Sequence, residues 1–112
     1  MRRAPYHRWY AGVVDGGPSD SLVWDHGNER HAVRHDLSKE EIDGMYDLGT
    51  WTIDEDPFFR SNQVRLIGPT PGGRLITVAV EWLPARRAYR PIASWDAEKA
   101  ERRRWRRDFQ QR

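Results

Sequence analysis

Residues 62–83, NQVRLIGPTPGGRLITVAVEWL, decide the fold. Two β-rich runs, NQVRLIG and GRLITVAVEWL, flank Pro69-Thr70-Pro71-Gly72-Gly73. Proline presets φ and glycine supplies left-handed backbone, so this connection predicts an antiparallel hairpin. It is glycine-rich but lacks the Gly-Lys-Ser/Thr of a phosphate-cradling loop, and a turn is the better account.

Working outward on the N-terminal side, Trp51–Asp56 (WTIDED) alternates like a strand that ends at Pro57. Before it, Ser38 and Glu41 form a capping box opening a helix through Leu48, and Gly49 stops it. Asp25 is a natural N-cap for a helix over His26–His35, preceded by a short strand, Ser21–Trp24 (SLVW). Beyond the hairpin, Ala88–Ser94 (AYRPIAS) is a last strand, with Pro91 placing it at an edge. A helix opened by Asp96 and Glu98 then runs to about Gln110, its arginines in the later turns as the helix dipole prefers. Ala97, Trp105 and Phe109 are expected to dock it on the sheet. The order β-α-α-β-β-β-β-α describes an α+β domain: a small antiparallel sheet, two N-terminal helices and one C-terminal helix, with the helices on one side. Residues 1–20, broken by Pro5, Gly12, Gly16, Gly17 and Pro18, read as an N-terminal extension to a single domain over 21–112.

Composition bounds the function. The chain has 112 residues, 38% of them hydrophobic, and six tryptophans, enough for one modest core. It contains no cysteine, which excludes disulfides and thiolate metal sites and suits a reducing cytoplasm. No apolar run reaches the roughly 18 residues of a membrane span. MRRAPYHRWY lacks the apolar segment of a secretory signal, so a cytoplasmic location without membrane contact is expected.

A net charge of +2 conceals strong segregation. Residues 15–57 hold twelve acids against Arg30, Arg34 and Lys39, a balance of −9, whereas residues 58–112 carry a balance of +8. Lys39 and Lys99 are the only lysines. Arginine's planar fork pairs bidentately with phosphate and stacks on bases, so an arginine-rich half suits nucleic acid; codon bias is the plainer source of the Arg-over-Lys choice. On the last helix, Arg103, Arg106 and Arg107 share one face, which reads as a solvated surface, an RNA-backbone contact or a site for an acidic partner.

Several pieces together resemble the BrnT-like toxins, small ribonucleases of type II toxin–antitoxin pairs. They are Trp24-Asp25, Arg34-His35, Ser38 and Glu40-Glu41; then Arg65 with Ile67-Gly68, and Gly73-Arg74; then Arg90, Ala93-Ser94, Ala97, Glu101-Arg102 and Trp105. Their shared order and spacing cover about residues 22–107. The chain departs from the family pattern at Asp36, where glycine is usual, and at Trp95, where an arginine is usual.

The resemblance implies a fold similar to the RelE-type interferases and metal-independent RNA cleavage. In that chemistry the ribose 2′-hydroxyl attacks its own phosphate, leaving a cyclic phosphate and a 5′-hydroxyl. His35 and His31 are the candidate proton carriers, since histidine titrates near operating pH. Arg65, Arg74 and Arg90 are the candidate phosphate ligands, and Trp95 or Trp82 a base-stacking surface. No cofactor is implied. The partners are RNA, free or ribosome-bound, and a cognate antitoxin in a hetero-oligomer. With Trp95 in place of the arginine, the alternative is a non-catalytic relative that binds nucleic acid or protein.

The same residues have plainer readings. His31 and His35, one turn apart, equally suit partners of nearby acids, or a zinc pair with no further ligand evident. Asp54-Glu55-Asp56 reads as an exposed acidic turn more readily than as a magnesium site.

Overall fold

A computed structural model describes residues 21–33, 37–55 and 62–110. The proposed extension (1–20), and Arg34, His35, Asp36 and Asp56, lie outside the described residues. Three helices and four strands follow in the order α1 (His26–Ala32), α2 (Lys39–Leu48), β1 (Thr52–Asp54), β2 (Gln63–Pro69), β3 (Leu75–Leu83), β4 (Ala88–Asp96) and α3 (Lys99–Phe109). The strands form one antiparallel sheet in sequence order, β1-β2-β3-β4. The α+β class, the small antiparallel sheet and the three helices are as the sequence predicts. Among the described residues no helix is long and apolar enough to cross a membrane.

The hairpin forms as its turn residues require. Thr70 N–H donates to the Arg74 carbonyl (2.8 Å) and Gly73 N–H to the Thr70 carbonyl (2.9 Å). The period of two then sorts β2 and β3 into two faces. Val64, Leu66, Ile76, Val78, Val80 and Trp82 share one face, where they meet Ile42, Met45 and Tyr46 of α2 in a single buried cluster. Tyr89 lies edge-on to Trp82 (ring centroids 5.1 Å apart), and Tyr46 stacks on Trp51 (5.3 Å). Such pairs contribute about 0.5–1.5 kcal/mol each beyond area burial. Gly68 lets this packing close, because a Cβ there would come within 2.8 Å of Trp51 Cβ.

Both N-terminal helices begin as read. Asp25 accepts from Asn28 N–H (2.9 Å) while Asn28 Oδ1 accepts from Asp25 N–H (2.6 Å). Ser38 and Glu41 exchange the equivalent bonds at 3.1 and 3.0 Å. Gly49 closes α2 with φ 76°, a left-handed conformation that favours glycine.

Three expectations need correction. The first helix stops at Ala32, short of His35: Val33 is extended, and the buried Ala32 presents its carbonyl to Ser94 Oγ (2.5 Å). Ser21–Trp24 is no strand. Val23 N–H bonds the Tyr89 carbonyl (2.9 Å), but the Asn28 amide takes the Val23 carbonyl (2.9 Å) as well as that of Pro91 (3.0 Å), so no ladder develops. Finally, the helices do not share one side. Thr77 and Arg65 alternate away from the apolar cluster, and both bond Glu101 of α3 (2.8 and 3.2 Å), so α3 covers the opposite face from α2.

Candidate nucleic-acid interface

The arginines divide into those already neutralised and those facing solvent. Arg65, on β2, joins Asp54 of β1 (2.7 Å) to Glu101 (3.2 Å). Arg74, at the end of the β2–β3 turn, bonds Asp96 (2.8 Å) and approaches Glu41 of α2 (3.5 Å). Arg90 grips both oxygens of Asp25 (2.9 and 3.1 Å) and lies 3.7 Å from Glu81.

These three pairings occupy separate places. In the β3–β4 register Asp96 lies opposite Ile76 and Arg90 opposite Glu81. Five residues of strand separate the two positions by about 17 Å. Arg65 faces α3. The structure therefore does not bring Arg65, Arg74 and Arg90 to one groove. His31 is exposed in the last turn of α1, and His35 lies outside the described residues.

The Asp25–Arg90 pair perturbs both groups. The guanidinium hydrogen bond, followed by the Asn28 N–H, lowers the Asp25 pKa from 3.8 to about 2. The Arg90 pKa moves up from its ordinary value for the reciprocal reason. Both groups therefore stay charged across the working pH range. The pair ties the N-cap of α1 to β4.

The proposed base-stacking tryptophans are engaged elsewhere. Trp82 is buried in the core, in edge contact with Tyr89. Trp95, half-buried opposite Thr77, donates its indole N–H to Glu101 (3.1 Å).

Arg103, Arg106 and Arg107 differ. They lie at i, i+3 and i+4 on α3, all three exposed, and they bond no acid among the described residues. Their neighbours are committed: Arg102 Nε donates to the Ala97 carbonyl (3.0 Å), and Arg104 bonds Asp54 (3.2 Å) and the Ile53 carbonyl (3.0 Å). Trp105 and Phe109 stack on each other at 5.4 Å along one flank.

The expected apolar docking stripe is thus only partly right. Ala97 is buried just before α3, and Trp105 donates to the Thr50 carbonyl (2.8 Å), but the buried residue within the helix is Glu101. The sequence reading missed the network of Thr52, Asp54, Thr77, Glu101, Arg104 and Asp108. Glu101, Arg104 and Asp108 recur at i, i+3 and i+7, so the signal was present, but a charged stripe at that spacing reads as a solvated face. Among the described residues no group of three His, Asp or Glu gathers into a metal site, and Asp54 is occupied by two arginines.

No protein-family model, curated protein or solved structure matches the chain.

Proposed function

We propose that the chain binds RNA through the solvent face of α3, as a protein of the toxin–antitoxin kind. The exposed stripe of Arg103, Arg106 and Arg107 carries this reading, because these guanidinium groups are open to phosphate while Arg65, Arg74 and Arg90 are bonded to carboxylates. An unbonded arginine can neutralise a phosphate at no cost in broken ion pairs. Three phosphates on a single strand release counterions, giving a slope of about −2 in log K against log salt. Anisotropy titrations of a labelled single-stranded RNA at increasing salt test this; affinity indifferent to salt would rule it out.

A second reading adds catalysis. The ordered resemblance to BrnT-like toxins and the exposure of His31 favour a ribonuclease held in check by an antitoxin in a cytoplasmic hetero-oligomer. Cleavage would proceed by 2′-hydroxyl attack, with His31 or His35 moving the proton. Arg65, Arg74 and Arg90 would each have to exchange a carboxylate for the scissile phosphate, so the binding reading takes precedence. Incubating RNA with chelator-treated protein separates the two. Products ending in a 2′,3′-cyclic phosphate, lost in His31→Ala or His35→Ala, establish the enzyme; bound but intact RNA leaves the binding module.

A further inference from the structure

The two faces of the sheet hold their helices by different forces. α2 buries Ile42, Met45 and Tyr46, so hydrophobic area fixes it. α3 buries Glu101, which is 4% exposed. That carboxylate accepts from Arg65 Nη1 (3.2 Å), Thr77 Oγ1 (2.8 Å), Trp95 Nε1 (3.1 Å) and the Glu98 N–H (2.8 Å), which fills the roughly four acceptor positions it has. The first three donors come from β2, β3 and β4. On β1, Arg104 bonds Asp54 and the Ile53 carbonyl, and Asp108 accepts from Thr52 Oγ1. The helix therefore makes polar contacts with all four strands, on a face that also buries Ile67 and Ala79.

We propose that α3 is a charge-latched helix that docks and releases as a unit while the core of α1, α2 and the sheet stays folded. Glu101 is the positioning residue that sets where the arginine face points. The proposal holds whether or not RNA is the ligand of that face. Released, α3 uncovers the sheet face bearing Arg65 and Thr77 and uncouples Arg103, Arg106 and Arg107 from the domain.

The physical basis is a difference in salt response. Hydrophobic docking of α2 gains little from low salt. The Arg104–Asp54 pair is partly open to solvent, and salt stabilises its separated charges once the helix is away, so added salt favours release. Removing one member of the buried set leaves the others uncompensated and acts in the same direction, more strongly.

Native-state hydrogen exchange on the full chain, read residue by residue, tests the latch at about 0.05 and about 0.5 M salt. The expected result is that α3 amides open more readily than those of Val78 and Val80 in β3, by at least about tenfold, and open more again in high salt. Glu101→Gln should raise α3 opening by on the order of 10²-fold with β3 unchanged, and Asp54→Asn, which removes the partly open pair, should blunt the salt response. A helix serving only as packing would show no salt response to lose. Amides of α3 and β3 opening together, at one rate and with one salt dependence, overturn the proposal. Should Glu101→Gln unfold the whole chain, Asp54→Asn breaks the latch at the edge strand instead. Joint acceleration of α3 and β3 in that variant also overturns it.

Discussion

At the scale of single residues, charge is spent locally. Asp25 serves two helical tasks at once, capping α1 and holding Arg90 with both oxygens. Because its folded pKa lies below its ordinary 3.8, the pair's contribution is fully present above about pH 4 and fades as pH falls through about 2. Carboxyl NMR should place the Asp25 midpoint near 2, and Arg90→Leu should return it toward 3.8. A midpoint unaffected by Arg90→Leu would mean that the ion pair does not form in solution. In the same way Arg65 and Arg74, attractive as phosphate ligands by residue type, are paired with carboxylates of the protein itself. Residue identity revealed the guanidinium groups but not their partners, which lie up to 65 positions away in the chain.

At the scale of elements, local chemistry was legible wherever a boundary depends on neighbouring residues. The Ser38–Glu41 box, the Gly49 stop and the Pro69–Gly73 turn all depend on contacts a few positions apart, and all formed as read. Replacing Ser38 with Ala should cost about 1 kcal/mol through loss of the bond to the Glu41 N–H, read as a lower denaturant midpoint with an unchanged slope. No shift would show that α2 is held by Ile42, Met45 and Tyr46 alone. Elements whose fate depends on distant partners were less legible. The SLVW strand failed because the Asn28 side chain claims the carbonyl a ladder would use. The first helix ended early because Ala32 meets Ser94, 62 residues on. The underside of α3 was misread because a charged stripe looks alike whether it faces water or a set of matched charges.

At the scale of the molecule, the sheet separates two chemistries. On one face lies the apolar cluster shared with α2. On the other an ionic layer carries α3, whose outer side presents arginine. The sequence displayed an acidic first half and a basic second half, but its reading placed the helices on one side and did not show that both faces would be covered. It did not show which helix takes which face, since that depends on how the chain turns after Asp96. Nor did charge balance tell which arginines would remain open. The three residues proposed for phosphate are paired with carboxylates, while Arg103, Arg106 and Arg107 are exposed.

The division between committed and open arginines is the central claim, and RNA affinity across a salt series in two variants tests it directly. Arg103→Ala/Arg106→Ala/Arg107→Ala should weaken binding and flatten the log K against log salt slope by about 2, whereas Arg74→Gln should leave the slope unchanged. A slope preserved in the triple variant, or reduced by Arg74→Gln, would contradict the account.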